Sequence, residues 1–111
     1  MIIKYGKRCS IHYHKKKTET FFVESGILRV LLFPSIVINS FEYLKDKIEP
    51  GKLEKQLHKF AEEHILKLED KLRIEPWTLH QFHGAIEGET IFFEFSTQHF
   101  EDDSYRIVKG D

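Results

Sequence analysis

The sequence predicts a mostly β fold, a small sandwich or barrel with one inserted amphipathic helix, and two patterns predict it. Along most of the 111 residues, apolar positions come in short runs rich in β-branched and aromatic types, bounded by Gly and Pro, which is how strands read. Only after Pro50-Gly51 do they recur at three- and four-residue steps, the period of one helix face. Seven or eight strands with a single helix suit a sandwich or barrel. The length leaves room for one domain, residues 1–111.

Taken in order, Lys7 to Ser25 interleaves apolar and polar residues and reads as two strands, closed by a turn at Gly26. Ile27–Phe33 reads as a strand covered on both sides and ended by Pro34, with a further extended piece over Ile36–Phe41. The helix spans about residues 51–68, with Leu53, Leu57, Phe60, Ala61, Ile65 and Leu68 on its apolar face. Strand character returns in Leu72–Glu75, Thr78–His83 and Thr90–Ser96, separated by Pro76, Gly84 and Gly88, and Tyr105–Val108 closes the chain. Small single-domain barrels have exposed edges, and Met1–Tyr5 could add a strand to a neighbouring copy, so a homodimer is expected.

Composition narrows the partners. With 41% hydrophobic residues the chain can bury a core, and with 32% charged residues it is neither disordered nor membrane-bound. Its longest apolar stretches are broken by Arg29 and Pro34 and fall short of the roughly 20 residues a spanning helix needs. No apolar run follows the charges of Met1–Arg8, so no secretory signal is expected there. One cysteine, Cys9, cannot form an internal disulfide, which fits a reducing cytoplasm. A net charge of -1 argues against nucleic acid or an anionic membrane as partner, and Lys15-Lys16-Lys17 reads as a solvated turn.

Seven histidines stand out. His12 and His14, two apart in a strand, leave on one face, and Glu19 begins the next strand of the same hairpin. His80 lies in another strand, Thr78-Leu79-His80-Gln81-Phe82. Three imidazoles and a carboxylate make a mixed nitrogen and oxygen set that suits a divalent ion, Mn, Fe, Ni, Co or Zn, without choosing among them. By the same alternation Arg8 and Ser10 point inward with His12, and Arg8 is expected to hold a hydroxyl-rich or phosphorylated ligand. His58 and His64, both placed on the helix, read as surface residues, and neither His83 nor His99 is a first-choice ligand.

The spacing Gly6, five residues, His12-Tyr13-His14, four residues, Glu19, six residues, Gly26 resembles the first motif of the cupin superfamily at every fixed position. Asp70, five residues, Pro76-Trp77-Thr78-Leu79-His80 resembles the second motif in part: Asp70 stands in place of a glycine, the turn is one residue shorter, and Gly84 replaces an asparagine. Phe93 to Arg106 is similar to the terminal strand and tail of small cupins related to sugar-processing enzymes such as lyxose isomerases. The resemblance implies a jelly-roll barrel in which His12, His14, Glu19 and His80 hold the metal. It also implies a sugar or sugar phosphate in the barrel, with Glu94 as the acidic residue beside it.

Strand parity puts Glu94 with Phe92 and Ser96 on one face, flanked by apolar residues, where an unpaired buried carboxylate needs a partner or a task. The expected activity is aldose–ketose isomerisation by metal-assisted proton transfer, with Glu94 as base and Arg8 positioning the ligand. The alternatives are a non-catalytic metal-dependent receptor for sugars or nucleotide sugars, and an oxygen-dependent Fe(II) enzyme using the same ligand set.

Overall fold

The computed structural model describes residues 1–97 and 103–111. Among them nine strands form two antiparallel sheets. One sheet sets β1 (Ile2–Lys4), β8 (Glu89–Ser96), β3 (Glu19–Ser25) and β6 (Lys71–Ile74) side by side. The other runs β5 (Glu62–Leu66), β4 (Leu28–Phe33), β7 (Leu79–Gly84), β2 (Ile11–Tyr13), β9 (Tyr105–Val108). Strand alternation then decides the layers. Inward-facing Ile3, Phe21, Val23, Leu28, Val30, Leu66, Ile74, Phe82 and Phe92 form one core between the sheets. The outward face of the five-stranded sheet, including Ile11, Tyr13, Leu31, Phe33 and Leu79, forms a second core with residues of two short helices, α1 (Ile38–Leu44) and α2 (Pro50–His58). β4 is therefore covered on both sides, as its run of apolar residues requires.

Two expectations are corrected. The helix read over 51–68 stops at His58, and residues 62–66 instead form β5, paired with β4 from Leu28↔Leu66 to Leu32↔Glu62. An α-helix there would leave the edge of β4 without ladder partners, so tertiary pairing overrides the apparent period. Phe60, Ile65 and Leu68 consequently stay exposed. Ile36–Phe41 is not extended but enters α1 through a short 3-10 turn, because Val37, Ile38 and Phe41 fall at helical spacing and all bury in the outer core. β1 pairs on one side with β8, Ile3 opposite Thr90, and forms the outer edge of the four-stranded sheet. Gly84 belongs to the same arrangement, since a Cβ there would sit 2.3 Å from the carbonyl oxygen of Lys4, and no asparagine fits. No helix among the described residues is long and apolar enough to cross a membrane.

Candidate metal centre

β2 and β7 pair with His12 opposite His80, so both rings leave on the inner side, with centroids 4.4 Å apart. His14, just past the end of β2, joins them at 5.1 Å from His12 and 5.5 Å from His80. Glu19 opens β3 in the facing sheet and meets the three rings from across the barrel. One donor atom from each of the four residues lies within 4.8 Å of the others. His14, Glu19 and His80 are 6%, 1% and 0% exposed, and His12 is half-buried.

The hydrogen bonds behind the rings set their chemistry. His12 Nδ1–H donates to the carbonyl of Ser10 (3.0 Å), His80 Nδ1–H to that of Thr78 (2.8 Å), and His14 Nδ1–H to that of Asp103. A carbonyl can only accept, so each Nδ1 carries a proton, and a ring in its neutral form presents its Nε2 lone pair to the centre. Nε2 of His14 lies 2.8 Å from Glu19 Oε1 and Nε2 of His80 lies 3.4 Å from it, acceptor against acceptor. Both of those nitrogens and both carboxylate oxygens are buried without a hydrogen-bond partner. Orphaned acceptors cost about 1–3 kcal/mol each. A divalent cation would satisfy all of them at once, so the residues fit a metal. Burial, then the neighbouring His80, pushes His12 down to about 3, which keeps that ring neutral at physiological pH.

Register also places the residues expected near the substrate. Ser96 is opposite Glu19 and Glu94 opposite Phe21, so Glu94 stands on the inner face of β8, two residues from the position facing the ligand. It is exposed, however, so the expectation of a buried carboxylate is corrected: β8 has run past the inter-sheet core by that point.

Arg8 does not point to the cluster. An isolated bridge pairs it with His83, one residue out of step with the His12↔His80 register. That shift turns its side chain to the outer face. There the guanidinium binds both oxygens of Glu54 (2.8 and 3.0 Å) and Asp111 (2.8 Å). Burial raises the carboxyl of Glu54, but hydrogen bonds from Arg8 and Gln81 outweigh it and leave it below its ordinary value of 4.5. Because the folded-state value is depressed, this stabilisation is complete above about pH 4.5 and is lost as pH falls through the lower folded value. Arg8→Met should therefore flatten the acid limb of a stability–pH curve while leaving metal uptake unchanged. Acid titration followed by circular dichroism, with metal analysis alongside, reads both.

A further group escapes the sequence reading. Lys17 has its Nζ 3.7 Å from Glu19 Oε2 with the side chain only 15% exposed. Its side chain is turned in toward Glu19 while those of Lys15 and Lys16 are exposed, and its place two residues before Glu19 is the signal that marks it. Of the remaining histidines, His58 and His83 both bond Gln81 Oε1 at 3.0 Å beneath α2, and His64 lies in β5 against Glu62. His99 lies outside the described residues. Burial raises the Cys9 thiol to about 12, which makes it no nucleophile.

No family model matches the sequence, and no curated protein matches it. Solved structures do match. L-ribose isomerase from Cellulomonas parahominis superposes with a TM-score of 0.74 at 18% identity, over 97% of this chain and 56% of that one. The capsular polysaccharide assembling protein CapF from Staphylococcus aureus gives 0.70 at 17% identity, over 97% and 26%. The CENP-C cupin domain from Drosophila melanogaster gives 0.62 at 14% identity, over 87% and 57%. The chain thus spans little more than half the length of two of these proteins and about a quarter of the third. Motif spacing and superposition meet on one architecture, and the fold of this chain is the cupin fold.

Proposed function

We propose that the protein binds a divalent metal through His12, His14, Glu19 and His80 and acts there on a sugar or sugar phosphate, as an aldose–ketose isomerase. The observation that carries the metal is the convergence of three Nε2 lone pairs and a carboxylate, most of them buried and unpartnered. The sugar rests on the likeness to L-ribose isomerase and on the tail motif. Bound there, a divalent ion supplies a Lewis acid for the carbonyl and neighbouring hydroxyl of an open-chain sugar. Glu94, on the inner face of β8, takes a proton from one carbon and returns it to the adjacent one. Lys17 balances the charge of Glu19 and offers a donor to a substrate hydroxyl, the task first expected of Arg8.

Glu94→Gln should lower turnover by about 10²–10⁴-fold with metal binding intact. The assay is metal-loaded protein against a panel of aldoses, ketoses and their phosphates. If no sugar in the panel turns over, the isomerase reading is lost.

The exposure of Glu94 favours a second reading, a metal-dependent receptor without catalysis. Calorimetry showing metal-dependent sugar affinity with no turnover selects it, and oxygen consumption with iron would select a dioxygenase instead. A homodimer is likewise proposed, and sedimentation equilibrium returning the monomer mass at every concentration removes it.

A further inference from the structure

His14 is the one histidine ligand that no strand holds. β2 ends at Tyr13, and after His14 the chain turns through Lys15, Lys16 and Lys17 before β3 starts at Glu19. What fixes the ring comes from 89 residues away. Asp103, 3% exposed, accepts on its carboxylate the backbone N–H groups of Lys15 (2.7 Å), Lys16 (3.0 Å) and Lys17 (3.0 Å). Three successive amides around one anion form a nest. The carbonyl of the same residue takes the Nδ1 proton of His14.

A second clamp closes on the same turn. Trp77 N–H donates to the carbonyl of His14 at 2.6 Å, and Trp77 does so from a backbone φ of 64°, a region a bulky residue rarely enters unless its surroundings impose it. Its ring stacks on Tyr13, which stacks in turn on Tyr105, at 5.6 and 5.2 Å. Lys15 Nζ rests over Tyr105 at 4.2 Å and over Trp77 at 5.1 Å. The turn is thus held by its amides and by its first side chain, and His14 sits at its root.

We infer that Asp103 is a positioning residue for the metal centre: its carboxylate closes the Lys15–Lys17 turn and its carbonyl fixes the Nδ1–H tautomer that aims Nε2 of His14 at the ion. The inference rests on the metal reading above. A ligating imidazole is set by what its other nitrogen bonds, and such outer partners are worth about 10–100-fold in metal affinity.

Asp103→Ala keeps the backbone carbonyl and removes only the carboxylate, so it isolates the turn. Two readouts apply: Co(II) titration with the visible d–d spectrum, and the ¹⁵N-imidazole correlation spectrum of the metal-free protein, which reports the His14 tautomer directly. Expected are a loss of Co(II) affinity of about 10–100-fold and a changed d–d spectrum. His14 should also pass from pure Nδ1–H to a tautomer mixture. Asp103→Asn, whose Oδ1 still accepts from part of the turn, should recover part of both, and it carries the test if the alanine variant fails to fold. Variants that melt lower but bind Co(II) with wild-type affinity, spectrum and tautomer show a merely structural role and overturn the inference. Wild-type protein that takes up no Co(II) removes the metal reading and this inference with it, and the wild-type titration separates that failure from the former.

Discussion

Glu19→Gln is expected to abolish metal binding and, in the same molecule, to raise the melting temperature of the metal-free chain. Loss of a directly coordinating carboxylate should exceed the roughly 100-fold cost of losing an outer partner. The stability gain follows from the acceptor count. In the neutral form of both rings, Nε2 of His14 and of His80 face Glu19 Oε1 at 2.8 and 3.4 Å with no proton to share. A glutamine amide brings two N–H donors to that point. Satisfying even one buried acceptor recovers about 1–3 kcal/mol, or several degrees in a domain of this size. Wild-type protein should behave oppositely, gaining about 2.7 kcal/mol at a metal concentration one hundred times Kd. Scanning calorimetry with and without chelator measures both, and a Glu19→Gln protein that melts below metal-free wild type would contradict the acceptor argument.

Phe21→Ala is expected to cost about 3–5 kcal/mol, the range for emptying a fully buried aromatic site. The ring packs edge-on against Phe82 (5.5 Å) and Phe92 (5.8 Å), and at 6.3 Å it walls His80. Its removal opens a cavity between the sheets at the floor of the metal centre, so metal affinity should fall along with stability. Against a total stability of about 5–15 kcal/mol, the variant stands near unfolding. Phe95→Ala, at an exposed position on the outer face of the same sheet, should stay within about 0.5 kcal/mol of wild type. Urea denaturation of the pair distinguishes the two, and equal midpoints would show that the Phe21 cluster is not the core it is taken for.

The period-two reading of His12, and of Glu94 with Ser96, carries over into the structure because β2 and β8 keep their alternation there, while His14 reaches the same centre from just past the end of β2. Arg8 obeys the same rule in the sequence and breaks it in the fold, since a one-residue shift between it and His12 turns the side chain outward, and nothing in the residue types of Cys9 or Ser10 marks that shift. Residues 51–68 show the other kind of failure. Their apolar spacing is helical throughout, yet the backbone of β4 needs a partner on its free edge, and β5 supplies it. Tertiary hydrogen bonding of that sort leaves no local trace. Lys17 is legible by strand parity, but three lysines in a row resemble a solvated turn and hide it. The anchoring of that turn by Asp103 joins residues 86 to 88 positions apart. Local patterns do not reach so far.

Equilibrium titration of the metal-free protein with Co(II), followed by visible absorption and checked by elemental analysis, bears most directly on the centre formed by His12, His14, Glu19 and His80. The expected result is one ion per chain, with d–d bands that grow in to saturation at that ratio, and loss of that uptake in His80→Ala. A folded wild-type chain that takes up no Co(II), Zn(II), Mn(II), Ni(II) or Fe(II) under any loading, or that binds as well without His80, would contradict it.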